Sequence, residues 1–153
     1  MNARVTVPCI ALIAAGFTQT ALAGGDEERA GGTSYLTTIT DSNGNFASRG
    51  VITLHRDHTM SVIDSGQGGP TFLFSSQLGS WQLNGNGVAI ARTIDFDFPS
   101  AGLARLDYTI HFGANGSATG TITLTDFPLQ ANPLDGGGTV IGAFTFTAQT
   151  IAP

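Results

Sequence analysis

The chain after residue 32 alternates large apolar side chains with polar ones, at a period of two residues, over most of its length. Successive side chains of a β-strand point to opposite faces, so this pattern predicts half-buried strands with one apolar face. Short turns rich in Gly and Asn separate the runs, and no amphipathic helical repeat interrupts them. The pattern therefore predicts an all-β antiparallel domain.

Strand pairing can be predicted from the same parity, because a slip of one residue would invert a whole strand. The predicted pairs are Leu54 with Met60, Ile52 with Val62, Leu83 with Val88, Trp81 with Ile90, Phe98 with Ala104, Phe96 with Leu106, Ile94 with Tyr108 and Arg92 with Ile110. In this register even-numbered residues between 90 and 112 line the interior. Asp95, Asp97 and Asp107 then stay outside as solvated charges, with Asp97 beside Arg105.

About eight strands arise in this way, and a sheet of that size with one apolar face has to cover it. Tight turns between long strands favour an up-and-down β-barrel. The alternative is a β-sandwich, for which only the segments 65–79 and 128–138 are long enough to cross over. Within the first of these, residues 72–74 predict a short strand or an apolar flap.

The first 23 residues have the pattern of a secretory signal peptide rather than of the fold. Arg4 is followed by an apolar stretch at Val5–Phe17 and by the small-x-small sequence Ala21-Leu22-Ala23. A buried N-terminal helix is the alternative. Cleavage near Ala23 would give a secreted or periplasmic protein with a flexible leader at 24–32 and a single barrel domain at 33–153. No later apolar stretch is long enough to span a membrane.

Charge and cysteine content narrow the classes of partner. After residue 23 the chain has no cysteine and no lysine, and five arginines face eleven acidic residues, for a net charge of −6. Phosphate backbones and anionic membrane surfaces both require clustered positive charge. The composition therefore predicts neither nucleic acid nor an anionic membrane as partner. Without disulfides, stability has to come from the core and the sheet.

The tripeptide Gly79-Ser80-Trp81 resembles the Gly-x-Trp motif of the lipocalins, and the succession of hairpins is similar to the wider calycin-type barrels. In the lipocalins that motif lies on the first strand, whereas here it is central. The order of elements is also similar to small exported bacterial barrels and to the allene oxide cyclases. The resemblance covers roughly residues 33–151. It implies a barrel with an apolar pocket and carries over no catalytic residue.

The predicted register gives a set of candidate ligand-binding residues on the interior face. Arg92 is the most unusual, because a buried guanidinium needs a partner or an anionic ligand; alternatively it extends to water near a rim. Tyr108 could donate a hydrogen bond to a ligand or be bonded within the core. The whole predicted set is Arg92, Tyr108, Trp81, Phe96, Ile110 and Phe144.

The sequence gives weaker signals for metal binding and for catalysis. His55, Asp57 and His58 cluster at a hairpin tip, but their spacing matches no structural zinc pattern, so no metal site is predicted. No catalytic, nucleotide-binding or cofactor motif occurs, so no catalytic residue and no cofactor is predicted.

Three functions remain open. The first is an exported barrel that binds a small apolar or amphipathic molecule, gated by segment 65–79. The second is a cyclase or isomerase acting in an apolar cavity, so that enzymatic activity is undecided. The third is a structural or surface-interaction protein whose barrel is filled, because eight-stranded barrels can be packed by their own side chains.

Overall fold

The computed structural model describes residues 30–68, 73–84 and 87–153. The predicted signal peptide, most of the predicted leader, and Phe72 of the predicted short strand or flap lie outside the described residues. The same holds for Gly85 and Asn86, which form the turn implied by the predicted pairing of Leu83 with Val88. The described strands are β1 Thr33–Asp41, β2 Phe46–Leu54, β3 Thr59–Asp64, β4 Leu73–Phe74, β5 Gln77–Leu83, β6 Val88–Phe98, β7 Gly102–Phe112, β8 Ser117–Pro128 and β9 Thr139–Thr150. A single 3-10 turn at Ala114–Gly116 precedes β8.

The strands close into a barrel. They pair in the order β6-β5-β3-β2-β1-β9-β8-β7, and β7 pairs back onto β6. Every pairing is antiparallel. The two-residue β4 lies outside this ring and pairs with the end of β6 through Leu73 and Phe98. The predicted antiparallel eight-stranded barrel is therefore confirmed.

The predicted registers are confirmed at the β2–β3 hairpin and wrong around β6. Leu54 pairs with Met60, as expected. In contrast, Trp81 pairs with Ala91 rather than with Ile90. On the other side, Tyr108 also pairs with Ala91 rather than with Ile94. Both shifts are odd, so β6 is inverted relative to the prediction.

The inward side chains of β6 are consequently the small or polar ones at odd positions. Ala89, Ala91, Thr93 and Asp95 are each at most 9% exposed, whereas Phe96 is 50% exposed. Small side chains suit this strand because bulky residues from adjacent and opposite strands of the ring fill the narrow interior. The largest of these are Trp81, Tyr35, Tyr108 and Phe146.

Two close approaches fix the positions of neighbouring elements. A Cβ on Gly79 would lie 1.8 Å from the backbone oxygen of Arg92, so only glycine allows β5 and β6 to pair here. The loop after β8 packs on the outside of the barrel, where Arg105 Nη1 donates to the Pro133 carbonyl over 2.6 Å. Phe127 is 2% exposed under this loop, and the Arg105 guanidinium stacks on its ring.

Candidate functional site

Four of the predicted ligand-binding residues belong to one interior cluster. Trp81, Tyr108 and Ile110 are each at most 4% exposed, and Phe144 packs against them from β9. The structure thus places these four at one interior cluster, and a role for them in ligand binding stays a prediction. Arg92 and Phe96 are not part of this cluster.

The interior void that could be measured in the barrel is small. The cavity that remains between the inward side chains of β1, β2, β7, β8 and β9 has a volume of about 10 Å³. Its lining consists of Tyr35, Ile52, Leu54, Ile110, Ala118, Phe146 and Ala148. Pockets for small molecules start at about 300 Å³, so this void is too small for a ligand. This void therefore gives no support to the expected apolar pocket, which stays a prediction.

Arg92 lies on the outside, which corrects the prediction of an inward guanidinium. Its side chain is 45% exposed, and its Nε donates to Asp107 over 2.6 Å. Arg105 Nε donates to the other carboxylate oxygen of Asp107 over 2.9 Å. Asp97, which was predicted to lie beside Arg105, pairs with Gly102 instead, and Arg105 pairs with Ile94. The physical reason is the inverted register, because a charged side chain at an even position of β6 is accommodated only if that face is solvated.

Phe96 also lies outside, within an exposed surface that we call the apolar face. This face consists of Leu36, Val51, Ile63, Leu78, Ile94 and Phe96 on β1, β2, β3, β5 and β6. Leu78 is 67% exposed and Ile63 is 61% exposed. Val51 pairs with both Leu36 and Ile63, so the apolar side chains are neighbours across strands. Exposed apolar surface of this extent is typical of interaction sites.

A hydrogen-bonded polar cluster is buried within the barrel. Tyr108 donates its hydroxyl to Gln77 Oε1 over 2.5 Å, and Thr93 donates to the same oxygen over 3.1 Å. Burial raises the pKa of Tyr108 well above its usual range, so the phenol stays protonated. The cluster satisfies the polar groups that the core contains, as buried hydroxyls require. Tyr108 is therefore a bonded core residue, the second of the two roles considered for it.

Gln77 was not predicted, although the sequence contains the signal for it. It stands four residues before Trp81 on the same strand, so a period of two places both side chains on the inward face. Because Ser75, Ser76 and Gln77 are all polar, no alternation with apolar residues marks them as part of a strand.

One end of the barrel, here called the acidic end, carries Asp64, Asp95, Asp97 and Asp126. Asp95 is 3% exposed, and its Oδ1 has no hydrogen-bond partner within the described part of the chain. Burial and the charge of Asp97 raise the pKa of Asp95 to about 7. Burial and the charge of Asp126 likewise raise the pKa of Asp97. The prediction that Asp95 is a solvated surface charge is therefore wrong.

The side chains of the β2–β3 hairpin tip are engaged in structural contacts. Asp57 Oδ1 accepts from the backbone and the hydroxyl of Thr59, and these bonds lower its pKa. The Trp81 indole donates to the His55 carbonyl over 3.0 Å, and its ring lies 5.3 Å from that of His58. Across residues 30–68, 73–84 and 87–153, no three His, Cys, Asp or Glu side chains are grouped to hold a metal ion.

A groove of about 370 Å³ lies on the outer surface of the barrel. Threonines make up most of its lining, in contrast to the apolar face. We call it the threonine groove. Its lining consists of Thr38, Thr40, Thr119, Thr121, Thr145, Thr147, His111, Gly120 and Phe146. No charged side chain of Asp, Glu, Lys or Arg belongs to this lining. The groove is lined by β1, β8 and β9, with His111 contributed by β7, so the sequence of a single strand does not reveal it.

The described residues contain no helix with the length and hydrophobicity that crossing a membrane requires. Comparisons of the chain with protein-family models, with curated proteins and with solved structures each gave no match. The resemblance to lipocalin-like and allene oxide cyclase-like barrels stays a prediction. Functional inference consequently depends on the chemistry of the described residues.

Proposed function

We propose that this protein is an exported surface-interaction protein, a filled barrel whose outside does the binding. The observation that carries the proposal is the contrast between an interior void of about 10 Å³ and an outer groove of about 370 Å³. Only the second falls in the size range of ligand sites, which starts at about 300 Å³. The exposed apolar face adds a second surface suited to a partner.

The two alternatives with an internal ligand have less support. A barrel that carries a small apolar or amphipathic molecule needs interior space, and so does a cyclase or isomerase. Arg92, the residue expected to meet an anionic group in either case, is paired with Asp107 on the outer surface. Export itself is supported by the signal-peptide pattern of residues 1–23.

The proposal is tested by looking for an occupant of the interior. Benzene is a suitable probe, because engineered apolar cavities in proteins bind it. The wild-type protein should show no change in unfolding temperature with benzene. A matched control comes from Phe146, which is 3% exposed and lines the small void. Phe146→Ala should open a cavity and gain stabilisation by benzene, and Phe146→Leu is the milder variant if the first does not fold.

Native mass spectrometry of protein purified from an exporting host complements the probe. The wild type should appear at the mass of the unliganded chain. A stoichiometric small molecule retained by the wild type, or stabilisation of the wild type by benzene, would refute the filled barrel and favour the internal-ligand functions.

A further inference from the structure

The threonine groove has a regular chemistry that the proposed function does not yet use. The sequence Thr-x-Thr occurs on three neighbouring strands, at residues 38–40, 119–121 and 145–147. Thr38 pairs with Thr147, which pairs with Thr119, and this gives one row of three. The second row consists of Thr40, Thr145 and Thr121. The six side chains form an in-register array that the separate segments of the chain build together.

The spacing of the array follows from sheet geometry. Neighbouring strands lie about 4.8 Å apart, and alternate residues along a strand are about 6.7 Å apart. Each position presents one hydroxyl and one methyl group, and a hydroxyl both donates and accepts hydrogen bonds. Thr40 and Thr145 already share a hydroxyl–hydroxyl bond of 2.7 Å. The groove therefore offers repeated, uncharged hydrogen-bonding groups between small apolar contacts.

This chemistry selects among ligand classes. Phosphates, carboxylates and cations are bound by charged groups, which the lining lacks. A purely apolar ligand would leave the threonine hydroxyls without partners where it covers them. A ligand with its own hydroxyls and C–H faces satisfies both the hydroxyls and the methyl groups. We propose that the threonine groove binds a neutral carbohydrate chain.

The shape of the site favours a chain over a flat surface. The array belongs to a closed eight-stranded barrel, so its strands curve around the cylinder. A flexible saccharide chain can follow a curved sheet face, which suits it better than a flat crystal plane such as the surface of ice. His111 lies at one margin of the groove, where its ring nitrogens add hydrogen-bonding capacity. This inference rests on the proposed function, since it assigns the ligand class of an outer surface.

The test uses affinity electrophoresis of the wild-type protein in gels containing neutral polysaccharides (dextran, laminarin, glucomannan) or the acidic polysaccharide alginate. We expect at least one neutral polysaccharide to retard migration and alginate not to. The double variant Thr121→Val/Thr145→Val keeps the side-chain shape but removes two of the three hydroxyls of the second row. It should weaken binding at least tenfold. Thr123→Val is the matched control, because Thr123 is exposed on β8 outside the groove, and it should bind within twofold of the wild type.

Several results would overturn the inference. The first is the absence of retardation by every neutral polysaccharide. The second is an equal loss of binding in the groove variant and in the control. The third is ice binding, measured as thermal hysteresis of the protein solution, without saccharide binding. Far-ultraviolet circular dichroism checks that each variant folds. If the double variant does not, the single variant Thr121→Val replaces it and should still weaken binding relative to Thr123→Val. If the carbohydrate test fails and the wild type does not bind benzene, only the assignment of a carbohydrate ligand is refuted. An occupied interior would remove the proposed function itself.

Discussion

Asp95 makes the stability of the barrel dependent on pH in a direction that can be worked out. Its pKa is about 7 in the folded protein, against an ordinary value of 3.8. Between those pH values the folded chain binds more protons than the unfolded chain, so stability falls as pH rises. The penalty from this carboxyl is absent below about pH 4. It is fully present above the folded pKa.

The size of the penalty follows from the shift. One unit of pKa corresponds to 1.36 kcal/mol, so a change from 3.8 to about 7 amounts to about 4 kcal/mol of lost stability above neutral pH. Asp95→Asn removes the charge and keeps the shape. Its amide places an N–H group near the position of Oδ1, which has no partner in the described residues, at a cost of about 1–3 kcal/mol. The net expectation is a gain of about 1–3 kcal/mol at pH 8.

Urea unfolding at pH 4.5, 6 and 8 measures the effect. The wild type should lose stability over this range, and Asp95→Asn should lose less. Asp135→Asn, which makes the same change of charge in an exposed loop, is the control and should follow the wild type. The reasoning is refuted if Asp95→Asn and the wild type show parallel pH dependence, because the buried carboxyl would then not titrate near neutrality.

Three further substitutions test the packing. Gly79→Ala should cost more than about 3 kcal/mol or prevent folding, since its Cβ would meet the Arg92 backbone oxygen; soluble yield and thermal unfolding would show this. Trp81→Phe should cost about 1–3 kcal/mol in urea unfolding, because it leaves the His55 carbonyl without its indole donor. Arg92→Met should change the unfolding free energy by no more than about 1 kcal/mol, because its ion pair with Asp107 is exposed; a larger loss would indicate a structural role for that pair.

The barrel could be predicted from the sequence because alternation and turn chemistry are local signals. The β2–β3 hairpin illustrates this, since Ile52, Leu54, Met60 and Val62 share one parity and the tip is short. Tyr108 and Ile110 were likewise placed inside correctly, because the other parity of β7 carries Arg105, Asp107 and Thr109.

The error at β6 has a physical origin in the size of the interior. This strand carries large apolar residues outward, at Ile90, Ile94 and Phe96, and small or polar ones inward. Parity alone then favours the wrong face, because it ranks positions by hydrophobicity and not by the space available. The position of Arg92 on the even face was the contrary signal, since an unpaired guanidinium is rarely buried.

The candidate sites were harder to predict from the sequence than the fold was. The threonine groove depends on the register of β8 and β9 with β1, which is far from both in the chain. The raised pKa of Asp95 depends on its depth and on its distance from Asp97. Neither the depth nor the register can be obtained from a single strand.

Closure of the barrel has a consequence for how the protein self-associates. Each of the eight barrel strands is paired on both sides, so the described ring has no edge strand to offer another chain. Lysines often guard such edges in open sheets, and this sequence contains none. Near its isoelectric point, where mutual repulsion vanishes, the native protein should therefore precipitate through contacts between barrel faces. Such a precipitate keeps its native strand pairing and redissolves when the pH is restored, in contrast to a fibril grown by strand addition.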